Sequence, residues 1–220
     1  MVVKNCEILP IEVVVRGYLT GRAWRDYQAG KAISGIKLPS GLKNSHRFDQ
    51  PLMTPSTKAE KGEHDLPISE QALVSEGFVD STLWSQVRSV AFDLFALGSK
   101  RAKEQGLLLV DTKYEFGLLN GKLILADEIH TMDSSRYWVA DSYEQRYQAE
   151  QAPHMLDKEP VRQWLISQGY MGEGAPPAFS DQYRSQIALH YIDSYERITG
   201  SEFEVRVEDT AQRMRVNLKG

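Results

Sequence analysis

Residues 107–128 read LLLVDTKYEFGLLNGKLILADE, two apolar segments on either side of Asn120-Gly121. An Asn-Gly pair readily adopts the left-handed backbone of a two-residue turn, so the stretch predicts an antiparallel hairpin with strands near 107–118 and 122–128. Strand geometry turns successive side chains to opposite faces, which places Asp111, Lys113 and Glu115 together. Two carboxylates flanking an ammonium group read in two ways. One is a self-neutralised, solvated surface, common on antiparallel sheets. The other is a platform for phosphate and Mg2+, because hard oxygens suit that ion and lysine meets phosphate as a point charge. Register decides which acid of the second arm joins them. A two-residue loop pairs Leu119 with Lys122 and Glu115 with Ala126, and brings Glu128 onto the shared face. A three-residue loop with Gly121 as its left-handed residue slips the register by one and brings Asp127 instead. The local sequence leaves both open.

Upstream, Ser81 is a candidate cap for a helix whose apolar positions Leu83, Val87, Val90, Ala91, Leu94 and Ala102 keep helical spacing up to Gly106. The run ILPIEVVV at 8–15 predicts a strand buried on both faces. The chain thus begins almost inside a sheet, which suggests sequence upstream of it. From Gly17 to Pro67 periodicity fails, as expected of a binding or lid region, with one or two helical turns at WRDYQA, 24–29. Downstream, one helix is expected from Pro160, with Val161, Trp164 and Leu165 on one face. Another follows Ser180 to Gly200 with the stripe Ile187, Tyr191, Tyr195 and Ile198. EFEVRVED near the end reads as an edge strand or an extended arm.

The chain has 220 residues, 41% hydrophobic and 25% charged, enough to bury one core. A net charge of -4 makes no electrostatic case for a nucleic-acid partner and allows a small phosphorylated ligand. The single cysteine, Cys6, excludes an internal disulfide, and no zinc spacing exists. No apolar run reaches membrane-spanning length and the N-terminus lacks the pattern of a signal peptide, so a cytoplasmic protein without a membrane partner is expected.

Candidate chemistry also lies outside the hairpin. Asp133-Ser134-Ser135-Arg136 is a turn followed by an arginine whose planar fork suits phosphate or carboxylate; a solvated surface turn is the plain alternative. Arg16, at a strand end beside glycine-rich sequence, reads equally as an anion clamp or as a snorkelling structural arginine. Thr54-Pro55-Ser56-Thr57-Lys58 and His64-Asp65 add polar groups in the long loop. Histidines 46, 130, 154 and 190 show no metal spacing and read as structural or exposed.

PIEVVVRGYLTG (10–21), TPSTKAEKGEHD (54–65), LVDTKYEFG (109–117), ADEIHTMDSSRYW (126–138) and LDKEPVRQWL (156–165), in this order over about residues 1–200, resemble the SAICAR synthetase family of purine biosynthesis. The resemblance implies an α+β fold: the C-terminal lobe of that family, an antiparallel sheet with packed helices, related to ATP-grasp and kinase-like two-lobed architectures. Residues 1–200 would form the catalytic and substrate lobe and 201–220 an extension. The implied activity is an ATP-dependent ligase joining CAIR to L-aspartate through an acyl phosphate, with Mg2+ on the nucleotide. By the same resemblance, Glu115 and Asp127 hold metal and nucleotide, and Lys113 faces phosphate; choosing Asp127 implies the slipped register or a bulge near Gly117. Lys113, Lys58 and Asp65 serve the reacting groups. Arg16, Arg22, Ser135, Arg136, Asp157 and Lys158 lie on the substrate side, and a strand through Val3, Lys4 and Cys6 cradles adenine.

Two departures from the family pattern carry consequences. Arg22 stands where the family has serine, which raises a different carboxylate-amine ligase as an alternative. Family members also begin with a β-rich nucleotide lobe, absent from these residues, so a truncated, split or non-catalytic ribotide-binding form is the other alternative. The surface on which that lobe docks is expected to leave an apolar patch near residues 1–15 and a tendency to associate.

Overall fold

The strand carrying DTKYEFG is the hub of the protein. The structure, a computed structural model, describes residues 3–58, 65–156, 159–206 and 209–218. In chain order these form β1 (Glu7–Ile8), β2 (Ile11–Leu19), α1 (Gly21–Gln28), β3 (His46–Thr57), β4 (Leu66–Pro67), α2 (Glu70–Ser75) and α3 (Ser81–Glu104). There follow β5 (Leu107–Leu119), β6 (Lys122–Ala126), β7 (Ser135–Val139), α4 (Ala140–Gln148), α5 (Glu159–Ser167), α6 (Asp181–Thr199) and α7 (Thr210–Asn217). All sheet pairings are antiparallel, in the order β1-β5-β2-β3-β4, with β6 and β7 also on β5. Residues 111 and 112 of β5 are flanked by β2 and β7, and residues 117 and 118 by β1 and β6. The α+β expectation therefore holds.

The hairpin takes the two-residue turn. Asn120 and Gly121 have φ of 52° and 74°, and Leu119 faces Lys122. Ile11, Val13 and Val15 pack with Tyr114 and Phe116 against α3, through its Trp84, Val87, Ala91 and Phe95. The opposite side chains of β2, Glu12, Val14 and Arg16, are only partly buried. This strand is thus not buried on both faces: it alternates, with one face in the core and one on a polar surface. An irregularity between Leu109 and Asp111 shifts parity along β5, so Leu107 and Leu109 share the core with Tyr114 and Phe116 while Asp111 is released to the polar face.

Other expectations need correction. The region 17–67 contains α1 over WRDYQ, as expected, but also the twelve-residue β3. Its Pro51 and Pro55 argue against a strand by composition, yet only Ser56 and Thr57 pair with β4, so most of β3 is an edge where missing N–H groups cost little. Asp80, not Ser81, caps α3, its carboxylate accepting from the Thr82 and Leu83 amides at 2.9 Å. On α6, Ile187 and Ile198 are partly buried, but Tyr191 and Tyr195 are exposed and Ser194 is the buried residue of the helix. The arm 201–206 has no strand, and α7 follows it. Val3, Lys4 and Cys6 precede β1 and are not strand residues. Of the described residues up to 15, Val3 and Ile8 are the exposed large hydrophobics, so the expected apolar patch shrinks to these two.

Candidate functional site

The polar face of the sheet collects Glu12 and Arg16 from β2, Thr54 from β3, Asp111, Lys113 and Glu115 from β5 and Arg136 from β7. Register forces this: Arg16 and Arg136 are both Cα partners of Asp111, and Val14 is the partner of both Lys113 and Thr54. Arg16 Nη1 and Arg136 Nη1 donate to the same Asp111 oxygen, at 2.9 and 2.5 Å. Arg16 Nε donates to Thr54 Oγ1 at 2.9 Å, and that hydroxyl donates to the Val14 carbonyl. Two guanidinium groups on one carboxylate leave a net positive centre. Gly21, with φ 58°, opens α1 directly beside it, where a Cβ would lie 2.6 Å from Arg136 Nη2. The start of α1 has neither a side-chain cap nor an acid in its first turn, so its orphan amides add positive potential. This end of the site suits an anion.

The other end is built on Lys113. Its ammonium donates to Glu115 Oε1 at 2.7 Å and Glu12 Oε1 at 3.0 Å, and lies 4.0 Å from Asp127 Oδ2. Lys58 pairs with the second Glu115 oxygen. Burial alone pushes Glu115 up, but the hydrogen bonds and charges of Lys113 and Lys58 outweigh it and bring its pKa down to about 2. Burial opposes the charge on Lys113, and the bonds from Glu115 and Glu12 overcome it, so Lys113 is raised.

Asp127 reaches Lys113 by neither route expected from the hairpin. The register is the unslipped one, with Glu115 opposite Ala126. Strand β6 ends at Ala126, and Asp127 takes a left-handed backbone, φ 60°, that turns its carboxylate back toward the lysine. Glu128, the acid that strand parity favours, instead accepts from the Thr131 hydroxyl.

A cavity of about 410 Å³ joins Arg16, Arg136, Asp111, Glu12 and Lys113 with Asp65 and Ser135 on its wall. The Ser135 hydroxyl donates inward to Thr112 Oγ1 at 2.8 Å. Arg22 is half exposed; it reaches the Asp65 carbonyl at 3.4 Å and lies 3.8 Å from the Asp26 carboxylate. Asp157 and Lys158 lie outside the described residues, while Arg162 of α5 reaches the cavity. Val3, Lys4 and Cys6 do not line it. Sequence reasoning missed Glu12, although Glu12 and Arg16, four apart on a strand, necessarily share a face. A larger cavity of about 1020 Å³, between α3 and the start of β3, shares none of the expected site residues.

Among the described residues no group of three or more metal-ligating side chains converges on one point. Mg2+ carried by a nucleotide needs only one or two carboxylates plus phosphate oxygens, and Glu115 and Asp127, both beside Lys113, fit that requirement.

The family model described as SAICAR synthetase matches residues 1–177. The chain belongs to the SAICAR synthetase family. The phosphoribosylaminoimidazole-succinocarboxamide synthase of Bacteroides fragilis is 44% identical over 201 residues, covering 90% of this chain and 64% of that protein. The Saccharomyces cerevisiae SAICAR synthase solved with SAICAR superposes with a TM-score of 0.77 at 34% identity, covering 91% of this chain and 64% of that one. A SAICAR synthetase solved with ADP shares the fold at 24% identity and a TM-score of 0.64, covering 91% of this chain and 67% of that one. The chain thus spans just under two thirds of the first two SAICAR synthetases. No helix among its described residues is long and apolar enough to cross a membrane.

Proposed function

We propose that this chain carries the substrate-binding and metal-binding lobe of an ATP-dependent SAICAR synthetase of purine biosynthesis, working in the cytoplasm on CAIR and L-aspartate. One observation carries the reading: a single cavity has two guanidinium groups on a shared carboxylate at one end and a lysine ringed by carboxylates at the other. The first end suits the ribotide phosphate and the second a triphosphate.

A carboxylate acylates poorly because its oxygen is a bad leaving group. Transfer of the γ-phosphoryl group from ATP to a CAIR carboxylate oxygen forms an O–P bond and releases ADP. The aspartate nitrogen then forms a C–N bond to the carbonyl carbon, the C–O bond to phosphate breaks, and the amine loses a proton. Arg16 and Arg136 orient the ribotide through its phosphate, and Lys113 places a positive charge beside the transferring phosphoryl group. Lys58 and Asp65 meet the reacting carboxylate. Glu115 and Asp127 would hold Mg2+, which would supply charge neutralisation for the triphosphate.

Arg22 favours a second reading, a related ligase for a different acid, because its guanidinium adds charge at the anion end. Incubating the chain, supplemented with the N-terminal lobe of a full-length relative, with ATP, CAIR and aspartate decides between them: SAICAR with matched ADP release is expected. Turnover of another acid in preference to CAIR supports the second reading, and ribotide binding without turnover points to a non-catalytic lobe.

A further inference from the structure

Three acids compete for one ammonium group in this site, and they are not equivalent. Asp127 is half exposed and 4.0 Å from Lys113 Nζ. Glu115 is buried and divides its two oxygens between Lys113 and Lys58. Glu12 is partly buried, with 12% of its side chain exposed, and its one ion pair among the described residues is to Lys113, at 3.0 Å. Position separates them further. Glu12 and Lys113 line the cavity shared with Arg16 and Arg136, whereas Glu115 and Asp127 do not. Glu12 stands two residues from Val14, the direct cross-strand partner of Lys113, so it grips the lysine from β2 while the other two approach from β5 and the end of β6.

We propose that Glu12 is a positioning residue that keeps the Lys113 ammonium aimed into the cavity when Glu115 and Asp127 turn to the metal and nucleotide. The inference rests on the ligase reading above. A carboxylate that takes up a divalent ion gives up part of its hold on a neighbouring ammonium. Lys113, on a flexible four-carbon stem, would then be loosened from both of those acceptors and free to swing out of the cavity. Glu12 supplies a partly buried, charge-assisted acceptor on the cavity side that the metal pair does not share. Burial makes that acceptor expensive to leave unpaired, which holds both partners in place.

Glu12→Gln keeps shape and removes charge, and Glu12→Asp restores charge on a shorter stem. Steady-state kinetics of the chain supplemented with the N-terminal lobe of a full-length relative should show kcat down by about tenfold in E12Q, KM for Mg·ATP changed by less than about threefold, and partial recovery in E12D. The ¹⁵N ammonium resonance of Lys113, sharp in the wild-type protein with Mg·ADP, should broaden through solvent exchange in E12Q. A folded E12Q with wild-type kcat, or with an equally persistent Lys113 resonance, overturns the proposal. Should the wild-type chain make no SAICAR even with that lobe supplied, the ligase reading fails, and the Lys113 resonance of the ligand-free proteins alone decides whether Glu12 holds the lysine.

Discussion

Arg16 Nη1 donates to Asp111 Oδ2 at 2.9 Å across the β2–β5 pairing, and the same oxygen accepts from Arg136 on the other side of β5. Asp111 is therefore the counter-ion of the two-guanidinium end, not a member of the lysine cluster two residues along its own strand. Only 7% of its side chain is exposed, so its two partners depend on it.

Asp111→Ala should cost about 3–5 kcal/mol, because it removes the carboxylate shared by Arg16 and Arg136 and leaves the two cations facing each other. Asp111→Asn should cost less, since it keeps an acceptor. Urea denaturation of both variants checks the order; equal stability of Asp111→Ala and wild type would refute the shared-counter-ion account.

Gly98→Ala should destabilise the protein although alanine ordinarily favours a helix by about 1 kcal/mol. A Cβ at residue 98 would sit 2.7 and 2.9 Å from the His130 ring nitrogens. That ring is held in place by the Tyr114 hydroxyl at 2.7 Å, while the Tyr137 hydroxyl holds the His130 carbonyl at 2.8 Å. Overpacking of about 1–3 kcal/mol outweighs the helical gain. A thermal melt showing a lowered Tm is expected.

Glu115 links stability to pH. Its proton is bound near the ordinary 4.5 in the unfolded chain but only near about 2 in the fold, so the unfolded state takes it up first as pH falls. The stability it contributes is complete above 4.5 and is lost between there and about 2. The gap between wild type and Glu115→Gln, measured by denaturant titration, should therefore narrow from about pH 6 to about pH 3. A gap that stays constant contradicts the ion-paired state of this carboxylate.

Arg16 and Arg22 should separate in binding. Arg16→Ala removes a nearly buried cation of the anion end and should weaken ribotide binding on the order of a hundredfold. Arg22→Ser removes a guanidinium that is 51% exposed, and should change binding by less than about threefold. Calorimetry with CAIR reads both, and an inverted order would make Arg22 the principal phosphate ligand.

Gly21→Ala should perturb the same end without replacing an ionisable group. A left-handed φ strains any L side chain, and the new methyl would displace the Arg136 guanidinium from Asp111. Weakened ribotide binding together with a stability loss of about 1 kcal/mol is expected from calorimetry and denaturation.

Much of this arrangement was legible in local sequence because it follows from local geometry. Asn120-Gly121 specifies a hairpin while leaving two registers open, and a period of two places Asp111, Lys113 and Glu115 on one side of β5 in either of them. The apolar spacing of 83–102 specifies α3 in the same way. The partner of each charge was not legible. Asp111 meets Arg16 from 95 residues earlier and Arg136 from 25 residues later, and no local rule ranks those partners above Lys113 next to it. Glu12 hid inside an apolar run, β3 behind two prolines on an edge, and Asp127 behind a backbone turn after the strand had ended. Short-range periodicity decided which side chains share a surface; only the assembled sheet, with its bulge and its flanking strands, decided which charges touch, because ion pairs form between chain segments that the fold alone brings together.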